Sequence, residues 1–493
     1  MDWLIFPHLE ILKYPCKYFA ELRKSIHQEG LTMISSECLL NFNQSIRFLA
    51  HSEESIFRPR SLNELRSKMK SFAMLETNKQ KVVHVLGQRC SFQFSQAHPL
   101  KTSVSYQIHN QEQMISTVNC DLLIDMRLMN KVVKLNLKSM EITVEAGITY
   151  SELIAYLAFH GLALADISAY TEVTVGGASA TGTHGSGNQI LSQQFVSMDV
   201  VTGMGEIYKL DDAKMFTHLG VLGIVATVTL RCVKMFYLKQ SVYLLERWSL
   251  LKPLLSEMFR DVEIFSSMLR INLDNSQHPV LMYIRKIASG KDDQFHERDY
   301  MGGKLVRGDV ARNYGGIGSN EKTTFTDNYW NVIADHSTLS QRNLLGAGKY
   351  FHAEYFLPID CGGEAIDRLL LIAHEFPMFC EALPSGIKCR FVKSDRQLMS
   401  PCYNADGTTD YFLAIQFSLY ANESIAKQIL VKVEAALGDF HPTTHWGKIC
   451  ANPAEFYRLY KERFRTMDQL RQVIDPHDYF IDHRSCLYEA FSG

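Results

Sequence analysis

The segment that decides the fold reads Val173-Thr-Val-Gly-Gly-Ala-Ser-Ala-Thr-Gly-Thr-His-Gly-Ser-Gly187. Its small residues allow backbone amides to approach a ligand closely. Clustered N–H groups of this kind can bind a pyrophosphate without any charged side chain. The spacing matches neither GxGxxG nor a Walker sequence, so neither a Rossmann nor a P-loop mechanism is indicated. On composition alone, a phosphate-binding segment and a flexible loop are equally good interpretations.

Helices and strands alternate upstream of this segment. The residues Ser61–Glu64 form a capping-box pattern, and the β-branched run Val82–Leu86 predicts a buried strand that ends at a glycine. Closer to the glycine-rich segment, the pattern predicts a strand at Glu141–Ala146. It also predicts a helix with Ser151 as its N-cap and Gly161 at its C-terminus.

Downstream, alternation over Ile224–Leu230 predicts a strand with two different faces, and the first domain closes near residue 235. A long polar stretch, Ser289–Gly348, is interpreted as a surface excursion or lid. The later elements are strands at Phe351–Pro358, Lys388–Val392 and Tyr411–Tyr420, and a helix that starts at Asn452-Pro453 and carries Phe456, Leu459, Tyr460 and Phe464.

Length and composition restrict the class of protein. A chain of 493 residues is too long for one ordinary core, so two or more packed units are expected. The net charge of -2 gives no electrostatic footprint for nucleic acid and fits a small neutral partner better. The 11 cysteines have neither CxxC pairs nor metal-ligand spacing, which predicts reduced thiols and no metal.

The sequence shows no membrane-spanning or secretory pattern. The longest apolar stretch, Gly220–Leu230, is shorter than the roughly 18 to 20 residues that a span needs. Polar residues interrupt the apolar N-terminus, which argues against a signal peptide. We expect a cytoplasmic protein, and the cluster Trp3–Phe6 leaves peripheral membrane contact open.

Four stretches, in chain order, carry a resemblance to a known family. Thr181–Gly187 after Val175-Gly-Gly resembles the flavin-binding signature of the PCMH-type, vanillyl-alcohol-oxidase-like FAD-linked oxidoreductases. The chain is similar in particular to their sugar-lactone oxidase and alditol oxidase branch. The other matching stretches are Arg58–Leu62 with Val85–Phe92, then Leu219–Val225, and finally His445–Lys448 in a His-Trp-Gly-Lys motif.

The resemblance implies an α+β fold: a two-part PCMH-type FAD-binding domain and a substrate cap domain with a large antiparallel sheet. The implied boundaries are a helical extension at 1–44, the FAD-binding domain at 45–235, the cap at 236–440 and a C-terminal segment at 441–493. This last segment, with Asp475-Pro476 and Phe480, would return to the FAD domain.

The resemblance also implies which residues bind FAD. Ser168 corresponds to the small residue beside the flavin C4a, and Ile224 and Val225 to the adenine or ribityl region. His184 and His445 are interpreted as histidines that fix loops rather than as catalysts. The full set is Gly87, Gln88, Arg89, Cys90, Ser91, Phe92, Ser168, Gly177, Thr181, Gly182, Thr183, His184, Gly185, Ser186, Gly187, Ile224, Val225 and His445.

On the substrate side, the resemblance assigns Arg390 and Lys448 to cationic positions of the active site. A fixed cation near the flavin N1 and C2 carbonyl stabilises negative charge there, and another can orient a substrate hydroxyl or lactone carbonyl. Ordinary ion pairing is the alternative for both residues. Glu354 also matches a family position, where it faces the flavin or supports a strand.

The chain departs from the family pattern at several positions. Cys90 stands where the family usually has the histidine that links covalently to flavin, so noncovalent FAD is expected, with a thioether from Cys90 as the alternative. Lys388 replaces an active-site glutamate, Gln416 a histidine and Ala169 a substrate-facing serine. Either Lys388 points away from the site, or the site is more cationic and prefers an anionic sugar derivative.

The implied function is an FAD-dependent oxidoreductase that oxidises a CH–OH group of a sugar lactone, alditol or related sugar derivative. Hydride would pass to flavin N5, and oxygen or another acceptor would reoxidise the flavin. The alternative is a catalytically eroded flavoprotein that serves as a binding module, because Lys388, Gln416 and Cys90 depart from the family pattern.

Overall fold

The computed structural model describes residues 38–40, 46–50, 55–77, 79–91, 104–108, 111–185, 189–261, 266–273, 277–291, 299–306, 324–334 and 350–492. Several predictions lie outside these residues. They concern most of the extension at 1–44, including Trp3–Phe6, and the FAD-binding candidates Phe92, Ser186 and Gly187.

The strands before residue 236 form the sheets of the first part of the chain. They are β1 (Cys38–Leu40), β2 (Ile46–Ala50), β3 (Ile56–Phe57), β4 (Val83–Leu86), β5 (Val104–Ile108), β6 (Gln111–Cys120), β7 (Leu122–Asp125), β8 (Val132–Asn136), β9 (Glu141–Glu145), β10 (Leu162–Ala163), β11 (Phe195–Val201), β12 (Ile207–Leu210), β13 (Ile224–Arg231) and β14 (Val233–Lys234).

These strands pair among themselves in four sheets within the described ranges. The orders are β1-β2-β6-β5, β3-β7-β4, β12-β11-β13-β9-β8 and β10-β14. The strand β1 lies in the region predicted as a helical extension, so that prediction is wrong at Cys38–Leu40. Antiparallel pairing with β2, which buries Leu39, overrides the local helical pattern there.

The later strands form one large sheet. They are β15 (Tyr237–Leu245), β16 (Ser266–Ile271), β17 (Val280–Ala288), β18 (Asp299–Tyr300), β19 (Gly303–Leu305), β20 (Phe325–Asn328), β21 (Phe351–Pro358), β22 (Ile387–Lys393), β23 (Tyr411–Leu419) and β24 (Thr443–Thr444). The order is β18-β19-β15-β17-β16-β22-β23-β21-β24, with β20 also on β15, and every pairing is antiparallel. The predicted fold class, α+β with a large antiparallel sheet, is confirmed.

The helices are α1 (Leu62–Ala73), α2 (Tyr150–Phe159), α3 (Val175–Ala180), α4 (Trp248–Leu251), α5 (Leu255–Arg260), α6 (Tyr329–Ile333), α7 (Gly362–Glu375), α8 (Pro377–Ala382), α9 (Glu423–Leu437), α10 (Pro453–Leu459), α11 (Lys461–Ile474) and α12 (Cys486–Ser492). The helix predicted from Asn452-Pro453 does begin there. It ends at Leu459, however, and Tyr460 separates it from the helix that carries Phe464.

Two helix starts differ in detail from the prediction. The N-cap of α2 is Thr149, not Ser151, because Thr149 and Glu152 form a reciprocal capping box two residues earlier than expected. At α1, Ser61 accepts from the Glu64 amide as predicted. The Glu64 carboxylate accepts from the Arg60 amide at 2.8 Å, one residue before the N-cap.

The strand predicted at Ile224–Leu230 is present, but its two faces do not differ in exposure. It lies between β11 and β9, where Ile224 and Val225 pack into separate hydrophobic clusters on opposite faces. Thr227 is buried as well, and its hydroxyl donates to Asp199 at 2.7 Å. The polar threonines therefore signal internal hydrogen bonding rather than a solvent-facing side.

The polar stretch predicted as a surface excursion is partly built into the fold. Within it, Phe325–Asn328 pairs with β15, and the helix that follows buries Tyr329 and Trp330. Tyr329 stacks on Phe236 with ring centroids 4.7 Å apart. These aromatic residues anchor the segment against the core of the first domain.

The large sheet has one apolar face and one face, called the polar face below, that carries polar side chains among apolar ones, since successive side chains of a strand point to opposite sides. Leu269, Cys389 and Ile415 belong to a core that also includes residues of α7, α8 and α9. Alternate positions on the same strands, among them Arg270, Arg390 and Gln416, carry polar side chains. The candidate site lies on this polar face.

Candidate active site

The loop after β4 brings a buried cation to the predicted FAD-binding region. Arg89 has a left-handed backbone conformation, with φ of 57°, and its side chain is buried. Its Nε and Nη1 atoms have no hydrogen-bond partner within the described structure. Burial, with a contribution from Arg127, lowers the pKa of Arg89 to about 10, so the guanidinium remains charged at neutral pH.

The glycine-rich segment is a short helix at its start rather than a flexible loop. Thr174 is the N-cap of α3, and its hydroxyl accepts from the Gly177 amide at 3.3 Å. A Cβ atom at Gly87 would lie 2.1 Å from the Thr174 hydroxyl oxygen. The loop after β4 and the start of α3 are therefore in contact, and only glycine fits at position 87.

Other predicted loops converge on the same region. A Cβ at Gly185 would lie 2.1 Å from the Ile167 carbonyl oxygen, next to Ser168. A Cβ at Gly447, in the His-Trp-Gly-Lys motif, would lie 3.1 Å from the Ser91 hydroxyl. The structure thus brings together loops that are far apart in the chain. The loops that contain Gly87 and Gly447, for example, are separated by 360 residues.

These observations fit an FAD site. Unmatched donors on buried Arg89 suit a phosphate group, and the glycines at 87, 177 and 185 leave backbone exposed where a side chain would clash. Arg89 with the amides of the glycine-rich segment would hold the pyrophosphate. Assignment of each residue to a part of FAD stays a proposal.

The remaining FAD candidates have mainly local contacts. Ser168 accepts from the Tyr170 amide at 3.2 Å, and the Thr181 hydroxyl contacts that of Thr183 at 3.2 Å. Gly182 has φ of 63° and packs against Pro401 of the later part of the chain. Cys90 is half-buried with its thiol 3.6 Å from the carbonyl oxygen of Gln88.

Glu354 on β21 is the centre of the predicted substrate-side residues. Its neighbours Ala353 and Tyr355 point into the cap core, so the alternation of the strand places Glu354 on the polar face. The carboxylate is completely buried and accepts from Arg390 Nη2 at 2.9 Å and from Lys448 Nζ. Arg390 also donates to the side-chain oxygen of Gln416.

The His-Trp-Gly-Lys segment runs along the edge of β21 and so delivers Lys448 to this carboxylate. The His445 amide donates to the Glu354 carbonyl at 3.1 Å, and the Ile449 amide to the His352 carbonyl at 2.9 Å. Trp446 anchors the segment, since its indole N–H donates to the Met399 carbonyl at 2.6 Å. Lys448 therefore occupies a fixed position.

Charge controls the protonation of this cluster. Burial tends to raise the pKa of Glu354, but the charges of Lys448, His184 and Arg390 outweigh it and hold the pKa well below its usual value. Burial, reinforced by Arg390, lowers the pKa of Lys448, and Glu354 opposes the change. Glu354 is thus a carboxylate and a weak proton acceptor.

Two buried histidines adjoin the cluster, one in the glycine-rich segment and one in the His-Trp-Gly-Lys segment. His184 Nε2 lies 3.1 Å from Glu354 Oε2, and its Nδ1 lies 3.0 Å from the Gly185 carbonyl oxygen. Burial is the main cause that lowers the pKa of His184, and it lowers the pKa of His445 even further. His445 Nδ1 accepts from the Gly447 amide at 3.0 Å, which requires the proton on Nε2.

Lys388 lies in the same row of the sheet as the central residues. Strand register pairs Lys388 with Gln416 and Gln416 with Glu354, so these three share the polar face. Lys388 is half-buried. The structure thus brings four of the five predicted catalytic residues into direct contact and places Lys388 beside them.

Three residues of this face were missed by sequence reasoning. His352 contacts the Gln416 amide at 2.8 Å, and Arg270 is the register partner of Lys388. Arg285 on β17 donates to Gln240 at 3.0 Å. For the two arginines, the available signal was an arginine that follows a run of apolar residues in a strand, as in Met268-Leu-Arg-Ile271 and Val280-Leu-Met-Tyr-Ile-Arg285.

The described part of the chain was searched for metal-ligand clusters and for membrane-spanning helices. No group of three or more His, Cys, Asp or Glu side chains there could hold a metal ion. Among those same residues, no helix has both the length and the apolar character to cross a bilayer. Cys90, Cys120, Cys232, Cys361, Cys380, Cys389, Cys402 and Cys450 are free thiols.

Two family models match the chain. The FAD binding domain model matches residues 93–211, and the D-arabinono-1,4-lactone oxidase model matches residues 342–485. The first match includes the glycine-rich segment. The second includes Glu354, Arg390 and Lys448.

Relatives and a solved structure agree with these matches. L-gulonolactone oxidase of Bos taurus is 25% identical over 379 residues, covering 73% of this chain and 83% of that protein. A mitochondrial L-galactono-1,4-lactone dehydrogenase of Oryza sativa is 37% identical over 121 residues, 23% of this chain and 21% of that protein. The crystal structure of cholesterol oxidase from B. sterolicum superimposes with a TM-score of 0.66 at 11% identity, covering 92% of this chain and 96% of that one.

The fold and the matches define an FAD-dependent oxidoreductase with PCMH-type architecture. Within that class, the resemblance to the sugar-lactone oxidases is confirmed, since residues 342–485 match the D-arabinono-1,4-lactone oxidase model and L-gulonolactone oxidase is among the relatives. The alternative of an eroded binding module gains no support from these matches.

Proposed function

We propose that this flavoenzyme oxidises a CH–OH group of an aldonolactone or a closely related sugar derivative. The observation that carries the proposal is the buried cluster of Glu354, Arg390 and Lys448 on the polar face of the cap sheet. His184 connects this cluster to the glycine-rich segment. A substrate on that face would therefore lie beside the FAD-binding loops.

The named relatives support this substrate class. Those that cover most of the chain are L-gulonolactone oxidases and an L-gulono-1,4-lactone dehydrogenase. Their names include both oxidases and dehydrogenases. We therefore propose oxygen or another acceptor as the electron acceptor of this protein. Polyol oxidation is the less favoured variant, because Gln416 and Ala169 replace two polyol-site residues.

Each residue of the cluster has a role that follows from its contacts. When bound, FAD supplies a hydride acceptor at N5. Arg390 and Lys448 hold positive charge in a buried site, where it stabilises developing negative charge more strongly than in water. Glu354 fixes the position of both cations and, because its pKa is held low, does not take the substrate proton.

The experiment is an anaerobic screen of the purified holoprotein. Aldonolactones, alditols and sugar acids are mixed with it in turn, and the visible absorption of the bound flavin is followed. We expect bleaching by at least one lactone and formation of the corresponding keto-lactone. Absence of bleaching by every sugar derivative, while a chemical reductant still bleaches the flavin, would remove the proposal.

For cellular location, we propose the cytoplasm. The free thiols of the described cysteines support a reducing compartment. The matching plant dehydrogenases are named as mitochondrial, and a mitochondrial location is therefore the alternative to be distinguished by fractionation.

A further inference from the structure

His184 is flanked by two groups that accept hydrogen bonds, one at each ring nitrogen. Its Nδ1 atom lies 3.0 Å from the Gly185 carbonyl oxygen and is aligned with it as a hydrogen bond. Its Nε2 atom lies 3.1 Å from Glu354 Oε2, yet makes no aligned hydrogen bond within the described structure. A neutral imidazole has one N–H, and a carbonyl oxygen cannot donate, so that proton is on Nδ1. In the neutral form, Nε2 is therefore an unprotonated nitrogen that faces a carboxylate oxygen.

The same carboxylate oxygen connects His184 to a lysine. Glu354 Oε2 accepts from Lys448 Nζ, whereas Arg390 donates to the other oxygen, Oε1, at 2.9 Å. Lys448 Nζ, Glu354 Oε2 and His184 Nε2 therefore form a continuous row of two contacts. Glu354 and His184 are buried, whereas the Lys448 side chain is 16% exposed. Lys448 is thus the accessible end of the row.

The proposed reaction leaves a proton that needs an acceptor. Oxidation of a CH–OH group to C=O breaks one C–H bond and one O–H bond. The hydride, with both electrons, passes to the flavin, and the hydroxyl proton remains. A positioned group that takes such a proton typically accelerates the step about 100- to 10,000-fold. The acceptor must connect to the substrate and must have a vacant position for a proton.

Several groups of the cluster lack such a position. Arg390 and Lys448 are donors, and Glu354 is a carboxylate whose pKa is held well below its usual value despite burial, by the charges around it. His445 Nδ1 accepts from the Gly447 amide at 3.0 Å, which leaves the proton of the neutral ring on Nε2.

His352 is a weaker candidate on similar grounds. Its Nδ1 lies 2.8 Å from Gln416 Nε2. The side-chain oxygen of Gln416 accepts from Arg390, so the amide nitrogen of Gln416 donates to His352. The neutral His352 ring thus carries its own proton on Nε2. In contrast to these groups, His184 has a ring nitrogen that can accept a further proton.

We propose that Lys448, Glu354 and His184 form a proton relay, in which His184 is neutral in the oxidised enzyme and stores the hydroxyl proton of the substrate while the flavin is reduced. This inference rests on the proposed function, because it names the destination of the proton that the reaction releases. Lys448 takes the hydroxyl proton as it passes one of its own to Glu354 Oε2, and Oε2 passes that proton to His184 Nε2. Lys448 and Glu354 end the step as they began it. Transfer of the hydride and of this proton to the electron acceptor restores His184.

The charges around His184 suit a proton that arrives together with the electrons. Burial is the main cause that lowers the pKa of His184, which favours the neutral ring before the reaction. Arg390 and Lys448 act in the same sense, and Glu354 opposes them. The hydride then brings negative charge to the cofactor, which favours a proton in the adjoining segment.

The titratable groups that face His184 come from several parts of the fold. They are Glu354 on β21, Arg390 on β22, Lys448 and His445 from the His-Trp-Gly-Lys segment, and Asp166 across Gly185. Any measured pH dependence must therefore be assigned by a variant of His184 itself.

The direct test follows protons during anaerobic flavin reduction by the substrate, with a pH-indicator dye in weak buffer at neutral pH. We expect the holoprotein to retain the hydroxyl proton while the flavin bleaches. His184→Asn keeps a donor for the Gly185 carbonyl but cannot take a proton, so it should release protons in an amount equal to the flavin reduced. Release of that amount by the holoprotein itself would overturn the proposal, and this measurement decides the matter even if His184→Asn does not retain FAD.

His278→Asn is the matched control. His278 is also buried, its Nδ1 lies 3.1 Å from the Asn272 carbonyl oxygen, and its Nε2 has no hydrogen-bond partner among the described residues. The neighbour of its ring is His374, with centroids 5.4 Å apart, rather than a carboxylate. The control should therefore retain the hydroxyl proton as the holoprotein does.

The pH profile of flavin reduction is the second readout. His184 must be unprotonated to accept, so the rate for the holoprotein should fall as the pH decreases through the pKa of His184. His184→Asn should be slower by about a hundredfold at neutral pH, with KM little changed, and should lack this decrease. His278→Asn should keep both the rate and the profile. A decrease at acidic pH that persists unchanged in His184→Asn would contradict the relay.

An electrochemical titration separates this inference from the proposed function. The midpoint potential of the bound flavin is measured against pH without any sugar. Reduction of the holoprotein should take up one proton more for each pair of electrons than reduction of His184→Asn, and its potential should depend more steeply on pH. This difference supports the proton site even if no lactone bleaches the flavin. Equal slopes in the holoprotein, His184→Asn and His278→Asn would exclude the site even if a lactone does.

Discussion

His184 Nε2 lies 3.1 Å from Glu354 Oε2, and this contact joins the glycine-rich FAD segment to the cap sheet. Both side chains are buried, and Arg390 and Lys448 contact the same carboxylate. One negative charge therefore holds groups from three separate parts of the chain. Its removal should affect stability as well as catalysis.

Glu354→Gln should destabilise the protein by about 3 to 5 kcal/mol, because it leaves buried cations without their counter-charge. The measurement is chemical unfolding of the holoprotein, together with its FAD content. Glu462→Gln is the control, since its pair with Arg465 is largely exposed and should contribute at most about 1 kcal/mol. Equal stabilities for the two variants would show that the buried cluster has no structural role.

Lys448→Met removes one charge and keeps most of the aliphatic stem. We expect FAD content to be preserved and flavin reduction by substrate to slow roughly a hundredfold, the typical effect of losing one preorganised charge-stabilising donor. Anaerobic stopped-flow absorbance measures the rate. Lys461→Met, on an exposed position of α11, should reduce normally. A Lys448→Met rate equal to that of the control would assign Lys448 to structural ion pairing.

Gly87→Ala should lower FAD content. Its Cβ would lie 2.1 Å from the Thr174 hydroxyl oxygen, and relief of the clash would displace a predicted FAD loop. The expected loss of stability is about 1 to 3 kcal/mol. The double variant with Thr174→Ala removes the clashing atom and should recover part of the FAD. Gly438→Ala meets open space and is the control, so matching FAD content in the two single variants would contradict the proposed loop contact.

FAD should be bound without a covalent bond. Cys90 occupies the position at which the family usually provides a histidyl link, and its thiol contacts the Gln88 carbonyl. Acid precipitation of the holoprotein should leave the yellow cofactor in the supernatant. Flavin that stays with the pellet, and is lost from it in Cys90→Ser, would instead establish a thioether bond.

His218 should make stability dependent on pH. Burial lowers its pKa from 6.5 to about 4, so below 6.5 the unfolded chain binds a proton that the folded protein does not. Stability is therefore lost as the pH falls through this window, by about 3 kcal/mol in total. His218→Gln should reduce that loss, as measured by unfolding at a series of pH values. Burial raises the pKa of Asp395 and Asp475 to about 6, which acts in the opposite sense but equally in both forms.

Local signals were sufficient for most elements of the fold. The run Phe351–Pro358 predicted its strand with the bounds that the structure has, because aromatic and other apolar residues fill most of its buried positions. The N-cap of α2 was misplaced by two residues, since Thr149 and Ser151 are both competent N-caps and only the reciprocal bond to Glu152 decides.

The composition of the site depended on contacts that no local pattern contains. Arg270 and Lys388 are partners because two strands 118 residues apart align in register, and a shift by one residue would have sent Lys388 to the apolar face. The contact between His184 and Glu354 likewise depends on the packing of the cap against the FAD loops. The resemblance identified Glu354 as a candidate, and the structure revealed how many charges meet at it.

The central claim is that a sugar CH–OH carbon delivers its hydrogen directly to FAD bound by this chain. The most direct measurement is the rate of anaerobic flavin bleaching by the best lactone substrate, with hydrogen and with deuterium at the oxidised carbon. We predict complete bleaching that is slower with deuterium, because the C–H bond breaks in that step. Flavin that stays oxidised with every sugar derivative, or bleaching that proceeds at the same rate with both isotopes, would contradict the account.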